Sequence, residues 1–214
     1  MIYLIFTACI DSDNDREGNC NRKDRYLVSI KSCLDILSKY KYDIKPIIVD
    51  NNGLRKTYLD DLGCDVFYTN NNKVENVAHK GVKELLDIKD VIKHYNIKLD
   101  DTIIKLTGRY KIYENYFLDL VTKNHNNYEG FVKFFNVCTK RYHKNHDDCI
   151  LGLFALKCKH ILDFNYKKTR RSPEQQFAIY VRDTVKLENI YQIEQNLYVE
   201  FCFAERRKNR IAYF

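Results

Sequence analysis

The sequence predicts an α/β protein with a mainly parallel sheet flanked by helices, in a single domain spanning residues 1–214. Three observations lead there. Short β-rich runs alternate with helical stretches through the first half, which is the pattern of βαβ units. Hydrophobic residues make up 45 % of the chain and charged residues 30 %, a balance that buries a core and excludes extended disorder. No internal repeat and no Pro/Gly-rich linker divides the 214 residues, a length suited to one body.

Taken in order, Ile2 to Cys9 reads as a buried first strand. A polar loop from Asp11 to Asp24 follows, and then Tyr26, Ile30, Cys33, Leu34 and Leu37 recur at helical spacing. Ile44 to Val49 is the second strand. Asp50-Asn51-Asn52-Gly53 turns the chain at its carboxyl end, where open α/β sheets place their ligands. Leu54 to Leu62 is expected as a short helix and Asp65 to Tyr68 as strand three. Val74 to Tyr95 is a long amphipathic helix whose stripe is Val77, Val82, Leu85, Leu86, Ile88, Val91 and Ile92. Asp100-Asp101 closes the next loop, and Thr102 to Leu106 is strand four.

The second half is less regular. Tyr116 to Thr122 is expected as helix, and Gly130 to Val137 and Ile150 to Leu156 as strands separated by a polar excursion, Thr139 to Asp148. Pro173 to Arg182 is helical, with Ser172 as cap and Pro173 at its first position. The chain closes on a strand-like run and then Glu205-Arg206-Arg207-Lys208-Asn209-Arg210.

Composition narrows the classes further. The eight cysteines include no CxxC pair, which favours free thiols in a reducing, cytoplasmic setting over disulfides or structural zinc. No run of eighteen apolar residues exists, so no membrane span is expected, and the opening segment lacks the basic start of a signal sequence. The net charge of +7 is spread along the chain and accompanies a composition rich in Asn, Lys, Ile and Tyr. It suits a nucleotide as well as a nucleic acid.

The most informative stretch is Ile103-Ile104-Lys105-Leu106-Thr107-Gly108-Arg109-Tyr110-Lys111. A buried strand runs into a Gly that permits a sharp turn, which presents Arg109 and Lys111 at the strand's carboxyl end. Two fixed cations there are placed to clamp a diphosphate. An ordinary basic hairpin is the competing reading.

The block Lys105-Leu106-Thr107-Gly108-Arg109-Tyr110 resembles the K-[IL]-T-G-R-Y motif of small glycosyltransferase-like proteins of bacterial surface-polysaccharide loci and large DNA viruses. Asn21-Arg22 through Arg25-Tyr26, with Ser29-Ile30 and Ser32, is similar to that group's R-x-x-x-Y-x-x-S-[LI]. Ile48 to Gly53 resembles its second-strand ending, and Lys80-Gly81 with Glu84 its K-G-x-x-E helix start. The matches keep the expected order over the first half, with weaker similarity from Gly152-Leu153-Phe154-Ala155 to the Glu174 helix. The resemblance implies a GT-A fold, a nucleotide-sugar donor and glycosyl transfer to a hydroxyl of a glycan or glycoprotein. It implies donor contacts from Thr7, Ala8, Asp50, Asn51, Asn52, Lys80, Lys105, Thr107, Gly108, Arg109 and Lys111. It also implies a general-base role for Glu174, at a helix start where a carboxylate is in any case favoured by the dipole.

Many GT-A enzymes carry Asp-x-Asp after strand four to hold a divalent cation. Thr107-Gly108-Arg109 stands there instead, and Asp100-Asp101 lies at the strand's wrong end. Arg109, Lys111 and Lys80 are therefore expected to neutralise the leaving diphosphate, with no protein-held metal. Mn2+ or Mg2+ would enter only with the phosphates, helped by a single carboxylate such as Asp101 or Asp148. His143, His146, Asp147, Asp148 and Cys149 match no zinc spacing and read as an acceptor-side loop. Asp11, Asp13 and Asp15 begin like a calcium loop, but Arg16 and Arg22 replace the required Gly and Glu.

Two rival functions fit the sequence less well. A nucleotidyltransferase needs a Gly-rich basic loop after strand one, whereas this loop is acidic with one Gly, Gly18. A nucleic-acid-binding module would use Arg206-Arg207-Lys208 and the many Tyr residues, but its basic residues are dispersed and no nucleic-acid motif occurs.

Overall fold

In the computed structural model, residues 1–11, 22–75 and 79–201 are described. Asp13, Asp15, Arg16, Gly18, Cys20, Asn21, Val77, Cys202 and the basic run 205–210 lie outside them. The chain runs through β1 (Ile2–Ala8), α1 (Arg22–Tyr40), β2 (Ile44–Asp50), β3 (Asp65–Tyr68), α2 (Lys80–His94) and β4 (Thr102–Thr107). Then come β5 (Lys111–Ile112), α3 (Tyr116–Asn124), β6 (Gly130–Val132), β7 (Phe135–Asn136), β8 (Arg141–Tyr142) and β9 (Leu153–Lys157). The elements α4 (Cys158–Asp163), α5 (Pro173–Tyr180), β10 (Ile190–Gln192) and β11 (Val199–Glu200) complete it.

Seven strands form one sheet in the order β10-β6-β9-β4-β1-β2-β3. Parallel pairing joins β4 to β1, β1 to β2 and β2 to β3, while β9 is antiparallel to both its neighbours. The carboxyl ends of β1, β2, β3, β4, β6 and β10 therefore share one edge, together with the amino end of β9.

The period of two in β1 divides the core. Leu4 and Phe6 pack with Tyr26, Ile30 and Cys33 of α1 and Phe117 of α3. Tyr3 and Ile5 pack with Leu85, Ile88 and Val91 of α2 and Phe177 of α5. A sheet clad on both faces reads as continuous apolar strands, which is why β1 and β4 were legible. Ser172 caps α5 in a reciprocal box with Gln175, and Pro173 takes the first position, as the sequence indicates. No helix among the described residues is long and apolar enough to cross a membrane, and the six described cysteines are free thiols.

Several boundaries differ from expectation. The segment Leu54 to Leu62 forms only a 3-10 turn, Tyr58–Asp61, initiated by the Thr57 cap. Helix α2 starts at Lys80, after a 3-10 turn at Asn71–Lys73. The expected strand Gly130 to Val137 breaks after Val132, because Lys133 turns inward to donate to the carbonyls of Glu194 and Gln195 and to Tyr142. Phe135–Asn136 then pairs with Arg141–Tyr142, a hairpin inside what reads as a polar excursion. The helix from Pro173 loses its α geometry after Tyr180 and continues as a π turn, Val181–Lys186.

Gly130 is where β6 crosses closest to its neighbours. A Cβ there would lie 2.4 Å from Leu156 and 2.9 Å from the Ala155 carbonyl oxygen. The carbonyl belongs to the paired strand and cannot rotate away. Gly130→Ala is expected to cost about 1–3 kcal/mol, read as a lower urea midpoint at unchanged slope. An unchanged midpoint would show that the sheet yields at this crossing.

Candidate donor site at the carboxyl edge of the sheet

Register places the predicted residues side by side. Ala8 pairs with Asp50 across β1 and β2, and Thr7 pairs with Thr107 across β1 and β4. The turn after β4 is closed by the Tyr110 N–H on the Thr107 carbonyl, at 2.8 Å, while the Gly108 N–H reaches the Thr7 carbonyl at 2.9 Å. Gly108 is set by space: a Cβ would meet the Tyr26 ring at 3.0 Å and the Thr7 carbonyl oxygen at 3.2 Å.

The three sequence blocks meet at this turn. Arg25 and Ser29 of α1 both donate to the Arg109 carbonyl, at 2.9 and 3.1 Å, and Ser32 donates to Ile112. Tyr26, buried against the sheet, accepts the Cys9 N–H at 2.9 Å and so fixes the end of β1. Arg25 also pairs with Glu200 of β11, and β11 zips antiparallel to β5. Much of the turn is thus held through backbone atoms.

Lys105 is placed differently from expectation. Its ammonium lies on the α2 face of the sheet, where it meets Glu84 at 2.5 Å, Thr107 Oγ1 at 2.7 Å and the Leu151 carbonyl at 2.8 Å. An ammonium has three N–H donors, and all three are used. Lys105 therefore braces the site and has no proton left for a ligand. Burial opposes ionisation of Glu84, yet Lys105 and the Arg109 charge outweigh it and hold the carboxyl below its ordinary range.

Cations from two helices and from the turn after β4 act on this edge. Arg22 and Lys80 are the first residues of α1 and α2, and both act electrostatically on the Cys9 thiol. Arg109 acts on Tyr26 and on Glu84, from the two faces of the sheet. A cation in the first turn of a helix opposes the dipole, so the placement of Lys80 does not serve α2 itself. Lys111 stands apart, its ammonium 4.6 Å from the Tyr113 ring centre.

The turn after β2 carries the opposite sign. Asp50 is fully buried; Oδ1 accepts the Ile10 N–H at 3.0 Å, and burial raises its pKa against the pull of that bond and of Arg55. The chain is laced to the end of β3 by Thr69 N–H to Asp50 carbonyl and Gly53 N–H to Thr69 carbonyl. Gly53 has φ +94°, and a Cβ there would press on Asn70. Asp87 of α2 completes the lacing. Its carboxylate accepts from Asn51 at 3.0 Å, Thr69 at 2.6 Å and Asn71 at 2.9 Å. The sequence reading missed Asp87; its signal is an acidic pair, Glu84 and Asp87, set at i and i+3 beside an apolar stripe.

Across β4, the start of α5 abuts the start of α2: a Cβ on Gly81 would lie 3.2 Å from Pro173. This brings half-buried Glu174 to the same edge, where its charge acts on buried Asp148. Asp148 accepts from Asn136 at 2.6 Å and from the Cys149 N–H at 2.8 Å, and His143 lies 4.0 Å away. His143 is paired instead with Asp147, at 2.8 Å.

The end of β4 offers a hydroxyl, a tight backbone turn and a guanidinium, a set unsuited to a divalent cation. Among the described residues, no group of three or more His, Cys, Asp or Glu could hold a metal.

No protein-family profile matches the chain, and no curated protein matches it. Solved structures do. One designated a glucose-1-phosphate thymidylyltransferase, from Bacillus anthracis, superposes with TM-score 0.56 at 12 % identity, covering 94 % of this chain and 89 % of that one. One designated a nucleotide-diphospho-sugar transferase, from Desulfovibrio desulfuricans G20, gives 0.53 at 10 % identity, over 90 % and 79 %. The mannosyltransferase PcManGT from Pyrobaculum calidifontis, solved with GDP-Man and Mn2+, gives 0.50 at 9 % identity, over 90 % and 54 %. The fold is GT-A-like. It is shared by nucleotidyltransferases and glycosyltransferases alike.

Burial sets a pH dependence. It pushes Asp87 up to about 7, against three donated hydrogen bonds. A folded-state pKa above the unfolded value means that the native state binds the extra proton, so stability is lost as pH rises from about 4 toward 7. Asp87→Asn is expected to flatten that slope, followed by denaturant midpoints between pH 4 and 8. An unaltered slope would assign it to other groups.

Proposed function

We propose that the chain is a glycosyltransferase that binds a nucleotide sugar at the carboxyl edge of β1, β2 and β4 and transfers the sugar to a hydroxyl of a glycan or glycoprotein. The observation that carries the reading is the register: Ala8 beside Asp50 and Thr7 beside Thr107 bring the ends of β1, β2 and β4 to one edge, where the turn after β4 carries Arg109. A diphosphate bound there meets the Arg109 guanidinium. When the bond from the anomeric carbon to the diphosphate oxygen breaks, negative charge grows on the leaving group. Fixed cations stabilise it without reorganising.

On the other side of β4, Glu174 supplies a carboxylate to take the acceptor's proton as its oxygen bonds the anomeric carbon. Asp148, beside it, is already engaged by two donors and serves to seat that region. Glycosyl transfer is preferred to nucleotidyl transfer because the chain after β1, Asp11-Ser12-Asp13-Asn14-Asp15, is acidic, whereas a triphosphate calls for a basic glycine-rich loop there.

Arg109→Ala is the sharpest test, because the Arg109 carbonyl that receives Arg25 and Ser29 is retained. Loss of a cation from a diphosphate is expected to weaken nucleotide-sugar binding by about 2–5 kcal/mol, the fold being checked by its melting curve. Turnover by the wild-type protein is expected to persist in excess chelator. Unchanged donor affinity in folded Arg109→Ala would remove this residue from the site. Activity abolished by chelator, restored by Mn2+ and lost again in Asp148→Ala would move the phosphate-neutralising role to a metal.

A further inference from the structure

Resting on the donor-site reading above, we infer that Asp87 is a positioning residue of that site: its ionised carboxylate locks the turns after β2 and β3 onto α2, and a proton on it frees Asn51 and weakens nucleotide-sugar binding. The carboxylate is wholly buried, and both turns reach it. Asn51 donates to it from the first turn, Thr69 and Asn71 from the second. Backbone bonds join the same pieces: the Asn72 N–H donates to the Asn51 carbonyl at 3.0 Å, and the Asn51 N–H to the Ala8 carbonyl at 3.3 Å. A change at Asp87 therefore bears on the ends of β1, β2 and β3 together.

The three donors differ in freedom. Asn71 gives its Nδ2 to Asp90 as well as to Asp87, at 2.8 and 2.9 Å, so turning that amide would set its oxygen against two carboxylates. Thr69 Oγ1 is tied between the Asn71 N–H, at 3.4 Å, and Asp87. The Asn51 side chain has no second commitment: Nδ2 donates to Asp87 Oδ2, while Oδ1 is buried without a hydrogen bond. Ionised Asp87 only accepts and keeps the Asn51 nitrogen turned inward. A protonated Oδ2 presents a hydrogen to that nitrogen, and the amide turns to offer its orphaned oxygen instead. Hydrogen bonds to a charged acceptor are also the stronger ones, so the ionised state preorganises the turns and the neutral state slackens them.

Burial brings the two states close to balance, at about 7, against the pull of the three donors. The charged groups beside Asp87 on α2 are Glu84, which opposes its ionisation and is itself paired with Lys105, and Asp90, which shares the Asn71 amide. After β1, the Cys9 thiol feels both Asp87 and Lys80, but burial pushes it up to about 11 and it stays neutral. At the end of β2, Asp50 is engaged by the Ile10 N–H and Arg55. The turns themselves meet Asp87 with two amides and a hydroxyl.

Titration calorimetry of the full chain with UDP-glucose, GDP-mannose, dTDP-glucose and ADP-glucose at about pH 6 and pH 8 tests this, because the charge of a nucleotide-sugar diphosphate is constant over that range. The sugar nucleotide that binds is expected to bind more tightly at the higher pH, by up to about tenfold, the ratio of the ionised fractions. Near neutrality its binding should release a proton, read from heats in buffers of different ionisation enthalpy. Protonated Asp87 favours the folded state, so this loss of affinity on acidification runs opposite to its effect on stability and is not unfolding. Asp87→Asn, held neutral, is expected to show the weaker affinity at both pH values, its fold checked by a melting curve. The wild-type profile and proton count decide the question even where that variant does not fold. A level wild-type affinity, tighter binding on acidification with proton uptake, or the same pH slope in folded Asp87→Asn overturns the inference and leaves the donor site standing. No binding of any of the four overturns both.

Discussion

The ion pair between Lys105 and Glu84 is the constraint on which the carboxyl edge depends. A lysine 3 % exposed on a central strand must have every proton accepted, and Glu84, Thr107 and the Leu151 carbonyl meet that need together. The pair's net contribution to stability is small, because desolvation offsets much of the attraction. Its consequence is geometric. One ammonium locks the start of α2, the end of β4 and the approach to β9 into a single arrangement, and Lys80 and Glu174 are positioned as a result.

This arrangement also explains why separate sequence blocks occur together. Lys105 of the K-L-T-G-R block needs Glu84 of the K-G-x-x-E block. The backbone of Arg109 needs Arg25 and Ser29 of the first helix. Gly108 needs the Tyr26 ring to be there, since the ring fills the space a side chain would take. The contacts with α1 span 80 or so residues of chain. The motif is therefore a packing unit first.

The first half of the chain was legible because β1, β2 and β4 are long, apolar and parallel, and α1 and α2 between them carry their own apolar stripes. Ser172 and Pro173 announced α5 by local chemistry alone. The region from Lys133 to Tyr142 was not legible, because strands of two residues owe their existence to distant partners. Lys133 ends β6 only because the carbonyls of Glu194 and Gln195 wait for it. In the candidate site, the position of Asp50 and Arg109 at strand ends was legible from the turn chemistry. Asp87 was not, since a carboxylate inside an amphipathic helix looks like surface until the loops it receives are in place. Lys105 misled for the opposite reason: a lysine within a ligand-like motif is read as reaching outward, and its strand register points it into the α2 face.

The Tyr110 ring lies over Gly152, where a Cβ would approach its ring carbons to 2.1 Å, and the Thr107 N–H bonds the Gly152 carbonyl at 2.9 Å. Tyr110 also packs edge-on against Phe201, at the far end of the described chain. The turn that bears Arg109 and the strand that leads from Asp148 are consequently one mechanical piece. Any displacement of that turn would be transmitted through the ring to the opposite wall, so the two walls would shift in step and not as separate jaws.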